Sequence, residues 1–158
     1  MTADATDHRA LRLGGLHVRV WRPSLAPTAL CIHGAAAHAG WWDGIAPALP
    51  DHRLLAPDLR GHGASAPAAR YLIEDFAADC LGVLDALAPQ PVDLVAHSMG
   101  GRVATGIAAQ HPARVRSLVL LDARIGPVPR ERAERWRAAR PWQAAPRAHA
   151  TRAAAEAA

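Results

Sequence analysis

Apolar and polar positions alternate across Leu11-Arg12-Leu13 and again from Leu16 to Trp21, with Gly14-Gly15 between, which predicts a β-hairpin. Beyond Pro23 to Pro27, a short apolar run from Ala29 to Ile32 predicts a strand ending at His33-Gly34. A helix is expected from Trp42 to Leu49 and a strand from Arg53 to Ala56, followed by a polar, glycine-rich loop from Pro57 to about Ala69. From Tyr71 to Leu87, apolar residues fall at 73, 76, 80, 84 and 87. Those steps of three and four gather one stripe on a helix, with Asp75, Asp79 and Asp85 turned away from it. Val92 to Ala96 predicts a strand, Met99 to Gln110 a helix stopped by Pro112, and Val115 to Leu121 another strand. Strands alternating with helices at this spacing indicate an α/β fold, a mostly parallel sheet with helices on both faces. Leu118-Val119-Leu120-Leu121 is the unbroken apolar run of a strand covered on both sides.

At 158 residues and 51% apolar, the chain is the size of one domain with one core. Periodicity divides it into a disordered start (1–10), a folded part (11–124) and an Arg/Ala-rich tail (125–158). In the tail only Arg130 to Arg140 could form a charged helix, and from Pro141 onward no apolar period remains. Charge follows the same division. Residues 1–123 carry 10 Arg against 11 Asp plus Glu, a net of −1, whereas residues 124–158 carry 8 Arg against 3 Glu, a net of +5. All 18 basic residues are arginine, which together with the Ala, Pro and Gly content reads as the codon bias of a GC-rich genome. Charge alone is weak support for nucleic-acid binding and the basic tail has no recognition motif, so nucleic acid is not an expected partner. No run of eighteen apolar residues predicts a membrane span, and the polar, acidic start is unlike a secretory signal, so the expected address is cytoplasmic. Cys31 and Cys80 read as buried free thiols, and no spacing suggests a metal site or a cofactor.

The chemistry concentrates in Val92-Asp93-Leu94-Val95-Ala96-His97-Ser98-Met99-Gly100-Gly101. Here a serine stands between an apolar strand and a helix that opens on small residues. A small-x-Ser-x-Gly turn of this kind exposes the hydroxyl at a sharp bend and aims the next backbone N–H at the reacting oxygen. Ala96 holds the position where glycine is usual, while Gly100 and Gly101 let the helix approach the sheet. A serine hydroxyl needs a base to remove its proton, and the tetrahedral oxyanion needs preorganised donors, each contributing about 3 kcal/mol.

Two further motifs precede the serine in order: Ile32-His33-Gly34 with Trp41 beyond it, and Asp58-Leu59-Arg60-Gly61-His62-Gly63-Ala64-Ser65. Together the three resemble the α/β-hydrolase superfamily, in its branch of small esterases, lactonases and C–C bond hydrolases, over residues 11–124. That resemblance implies Ser98 as nucleophile and the backbone N–H groups of Ala35 and Met99 as the oxyanion hole. It implies acyl transfer or hydrolysis of a small ester, lactone or related carbonyl substrate, without a cofactor. His33 and Gly34 would shape the oxyanion loop, and His97, Gly100 and Gly101 would support the elbow. Asp58 would hold the glycine-rich loop. Asp122, at the end of its strand, is either the triad acid or a carboxylate that caps its loop. Trp41 and Trp42 either line the acyl pocket or pack in the core, and Arg102 is a solvated or ion-paired helix residue.

The resemblance also exposes a gap. In this superfamily the triad histidine follows the serine and the acid, and after Ser98 the chain offers His111 and His149. His111 lies thirteen residues on, at the far end of the elbow helix, roughly 20 Å away at 1.5 Å per residue. His149 belongs to the tail. The expected fold is therefore an incomplete α/β-hydrolase without the last strands and lid. Its strand 115–121 would be an unpaired apolar edge, a surface for self-association. The alternative function is an inactive hydrolase fragment, truncated or frameshifted near the start of the tail.

Overall fold

The computed structural model describes residues 8–126. Six strands form one sheet in the order β1-β2-β4-β3-β5-β6. They are β1 (His8–Leu13), β2 (Leu16–Trp21), β3 (Thr28–Ile32), β4 (Arg53–Pro57), β5 (Val92–His97) and β6 (Val115–Leu121). β1 pairs antiparallel with β2, and β2 antiparallel with β4, while β4, β3, β5 and β6 run parallel. The four parallel strands therefore end at one edge of the sheet, where His33-Gly34, Asp58, Ser98 and Asp122 follow β3, β4, β5 and β6.

Helices flank both faces, as the pattern predicts, but unequally. On one face α1 (Ile73–Leu87) and α2 (Met99–Gln110) bury Phe76, Cys80, Val83, Leu84, Val103, Ala104 and Ile107 against Val18, Leu30, Leu55 and Leu94. The other face is covered by two 3-10 turns, Ala39–Gly44 and Ala46–Ala48, which set Trp42 and Ala46 against Trp21, Cys31, Leu54 and Val95. The helix expected over Trp42 to Leu49 is replaced by these turns. Gly44 ends the first turn, Ile45 lies between the two, and Pro47, which has no N–H, cannot continue an α-helical ladder.

β1 begins at His8, so residues 8–10, expected in a disordered start, are strand. Their pairing with Arg19, Val20 and Trp21 explains the difference, since the hairpin partner is long enough to hold them. Asp75 is also corrected. It lies buried in the first turn of α1, where its carboxylate accepts from the N–H of Leu72 at 3.0 Å and takes the Arg70 guanidinium at 2.6 Å. The Arg70 hydrogen bond comes first among the effects that push this carboxyl down to about 2. Cys31 and Cys80 are free and buried, as expected. Burial pushes the Cys31 thiol up to about 12 and raises Cys80 as well, so neither is a thiolate nucleophile at neutral pH. Among the described residues no helix is long and apolar enough to cross a membrane. Residues 1–7 and the tail beyond 126 lie outside the described residues.

Candidate active site

Strand β5 delivers Ser98, and the turn into α2 holds it at φ +50°, ψ −113°. A side chain adopts this region only under strain, at a cost of roughly 1–3 kcal/mol, and the surroundings supply the constraint. The Ser98 N–H donates to Leu121 O at 3.0 Å, tying the bend to β6, and Ser98 O accepts from the Gly101 N–H at 3.0 Å. Gly100 admits α2 to the sheet because a Cβ there would strike the carbonyl oxygens of Ile32 and His33, the latter at 2.6 Å. Gly101 would likewise collide with Ala123. Among the described residues the Ser98 hydroxyl has no hydrogen-bond partner.

The loop after β3 lies against the elbow. A Cβ on Gly34 would sit 3.1 Å from the Ser98 Cβ and 2.9 Å from His97 Nδ1, so this close approach requires glycine. Gly34 to Ala37 forms a turn, closed by the Ala37 N–H donating to Gly34 O at 3.4 Å, with Ala36 at φ +58°. Neither the Ala35 N–H nor the Met99 N–H donates to an acceptor among the described residues. Ala35 follows Gly34, which lies against Ser98, and Met99 follows Ser98 itself.

His33 fixes the start of this loop. It is 1% exposed, its Nδ1 lies 2.7 Å from Gly34 O, and its Nε2 accepts from the Leu59 N–H at 3.0 Å. That pairing assigns the proton to Nδ1 and leaves no nitrogen free to act as a base. Burial pushes the imidazole down to about 4, so it is neutral at physiological pH. Asp58 fixes the other end. Its carboxylate accepts from the Ala39 N–H at 2.5 Å, the Ala64 N–H at 2.9 Å and His17 Nδ1 at 2.9 Å. Burial by itself would raise this carboxyl, but the three donors outweigh it and hold Asp58 below the usual carboxylate range. Gly63 packs directly on the carboxylate at φ +52°, and Ser65 Oγ donates to Asp58 O at 2.6 Å. Asp58 thus holds the glycine-rich loop, and the start of the first 3-10 turn as well. The contribution of His17 had no signal in the sequence, where it reads only as a polar position of a hairpin.

The remaining candidates are more peripheral. Trp42 is core, whereas Trp41 is 57% exposed and lies over His97 with ring centroids 5.7 Å apart. His97 Nδ1 is buried without a partner. His62 Nδ1 lies 3.1 Å from Arg60 O, inside its own turn. Arg102 is exposed on α2. Asp122 stands exposed at φ +45° after β6 and has no partner among the described residues. His111 caps the far end of α2, and His149 lies outside the described residues. A groove of about 460 Å³ between Leu13–Leu16 and α1 contains none of these residues.

Residues 27–147 match the family model described as alpha/beta hydrolase fold. The chain is 41% identical over 110 residues to "Lipase LipV" of Mycobacterium tuberculosis, covering 70% of this chain and 42% of that protein. It is 39% identical over 113 residues to "Serine hydrolase-like protein" of Danio rerio, covering 69% of this chain and 35% of the relative. Among solved structures, "Thioesterase Domain From Curacin Biosynthetic Pathway" superposes with a TM-score of 0.71 at 31% identity, covering 85% of this chain and 52% of that one. The chain thus spans well under half the length of these two curated relatives.

Proposed function

The chain belongs to the alpha/beta hydrolase fold family, and on that premise we propose that it carries the nucleophile and oxyanion-binding part of a serine hydrolase acting on a small ester, thioester, lactone or related carbonyl compound. The observation that supports this reading is the strained Ser98 backbone at the strand-to-helix turn, with its hydroxyl unbonded among the described residues and its Cβ close against the Gly34 loop. In the reaction, Ser98 Oγ bonds to the substrate carbonyl carbon while the π pair moves onto the carbonyl oxygen. The Ala35 and Met99 N–H groups receive that oxyanion, and the hydroxyl proton passes to a base. Collapse breaks the bond to the leaving group, which takes the proton back, and water then releases the acyl group from Ser98 by the same steps. Both the lipase and the thioesterase named above are acyl hydrolases by name, which supports the acyl-transfer class.

A second reading is favoured by a specific observation: among the described residues no imidazole meets Ser98 Oγ, and Asp122 holds no histidine. In this reading the elbow is formed but not activated, and loss of the base costs several orders of magnitude in rate. Fluorophosphonate labelling of the purified, folded chain distinguishes the two, with Ser98→Ala as control. Labelling that disappears in Ser98→Ala supports the nucleophile. A folded wild-type chain that stays unlabelled overturns it in favour of the inactive form.

A further inference from the structure

The histidine of the hairpin, His17, stands far from the elbow in sequence, yet the hydrogen bonds place it one step from the oxyanion loop. β2 pairs with β4 so that Val18 faces Pro57, which brings His17 beside Asp58. Two backbone bonds lock this register: Asp58 N–H donates to His17 O at 2.8 Å, and His17 N–H donates to Ser65 Oγ at 2.8 Å. Neither involves the imidazole. The ring makes one separate bond, from Nδ1 to Asp58 Oδ2 at 2.9 Å. The other oxygen of that carboxylate, Oδ1, holds the Ala39 N–H. Ala39 opens the 3-10 turn that ends the Gly34–His38 segment, and Gly34 touches Ser98.

We propose that His17 is a positioning residue for the oxyanion loop. Its Nδ1–H, beside the Ala64 N–H on the same oxygen, completes the hold on the rotation of the Asp58 carboxylate, so that Oδ1 pins Ala39 and the loop carrying Ala35 keeps a single conformation. With His33 anchoring the start of the segment and Asp58 its end, the Ala35 N–H is held from both sides before substrate arrives. Preorganised donors of this kind act on the transition state rather than on ground-state binding. This inference rests on the reading of Ser98 as nucleophile and of Ala35 as oxyanion donor.

The geometry of the bond supplies its own controls. Asparagine places an amide nitrogen close to where the imidazole has Nδ1, glutamine places it nearer Nε2, and phenylalanine keeps the ring without a donor. In His17→Phe, loss of a hydrogen bond to a charged group slows inactivation of Ser98 by a fluorophosphonate about tenfold. The maximal inactivation rate carries that loss, and the probe concentration at half-maximal rate stays within about twofold. His17→Asn recovers most of the rate and His17→Gln does not. Hydrogen exchange of the amides in 34–41, which needs no active serine, speeds up by about tenfold in His17→Phe and is restored in His17→Asn. Unchanged exchange in 34–41 in His17→Phe overturns the positioning role, whatever the labelling shows. Equal losses in Phe and Asn variants also overturn it, because they would reflect packing and not the Nδ1 bond. A wild-type chain that resists the probe, while His17→Phe still loosens 34–41, overturns the nucleophile reading and leaves His17 as the residue that holds the loop.

Discussion

Ser98 stands between two unlike surroundings. On the side of β3 and β4, the Gly34 loop is held at both ends by buried groups whose hydrogen bonds are complete: His33 to Gly34 and Leu59, Asp58 to Ala39, Ala64 and His17. On the side of β6, one backbone bond from Ser98 to Leu121 carries the elbow, and beyond it Asp122 is exposed and unpartnered among the described residues. β6 itself leaves Leu118 36% and Val119 46% exposed, while β3, an equally apolar strand, is almost wholly buried between β4 and β5. The difference teaches that this chain's own residues hold the loop on the β3 side of Ser98, the proposed oxyanion-binding side, from both ends. On the β6 side the described residues bring no acid or base to Ser98.

The comparison is broken most severely at Gly100. Gly100→Ala drives a Cβ into two backbone carbonyls that cannot rotate away, and we expect a loss of about 3 kcal/mol or more, read as a fall in urea midpoint. An unchanged midpoint would mean that α2 can move off the sheet, and that the elbow is less constrained than its dihedrals indicate.

Acid sharpens the contrast next. His33 has an ordinary value of 6.5 and is pushed down to about 4 in the folded chain. The unfolded chain therefore takes up a proton as pH falls below 6.5, while the folded chain resists until about 4. Stability is full above 6.5, declines by roughly 3 kcal/mol across this window, and His33 adds no further loss below it. Urea midpoints measured from pH 7 to pH 4 test this, and His33→Asn should show a flatter slope. An equal slope in both proteins would place the proton elsewhere.

The β6 side should respond in association before it responds in stability. An apolar edge strand invites pairing, and its Arg116 turns back onto Asp93 of β5, where the ion pair removes its charge from the edge. We expect the wild-type chain to exceed monomer mass by light scattering at micromolar concentration, and Val119→Lys to return it to monomer with little change in midpoint. A monomeric wild type would show that the edge is protected. The smallest effect belongs to Asp122→Asn, which should change stability by less than about 0.5 kcal/mol, as expected for an exposed side chain without partners among the described residues. A larger loss would reveal a partner for this carboxylate.

Much of the sheet was legible in the sequence, because period-2 and unbroken apolar runs report burial directly. The bounds of β6 and α2 agree with those runs, and β3, β4 and β5 differ from them by a residue at one end. Reading failed where a tertiary partner overrides the local pattern. Asp75 looked solvent-facing by helical spacing, yet Arg70 and the N–H of Leu72 draw it inward. Trp42 to Leu49 had apolar content enough for a helix, but Gly44 and Pro47 divide it into tighter turns. In the site, the elbow glycines and the His33-Gly34 pair were legible because close approach needs glycine and few alternatives exist. The His17 contribution was not, since it depends on which strand lies beside β4, and that pairing crosses about forty residues of chain.

The exposed indole of Trp41, laid over the His97 ring beside Ser98, also gives the protein an optical sensor. Trp21 and Trp42 are buried, so among the described tryptophans Trp41 is the one that a soluble quencher such as iodide can reach. The emission difference between wild type and Trp41→Phe isolates its signal. An acyl group arriving on Ser98 would shield this ring from iodide, so occupancy of the site could be followed by light, with no chromogenic substrate and before any substrate is known.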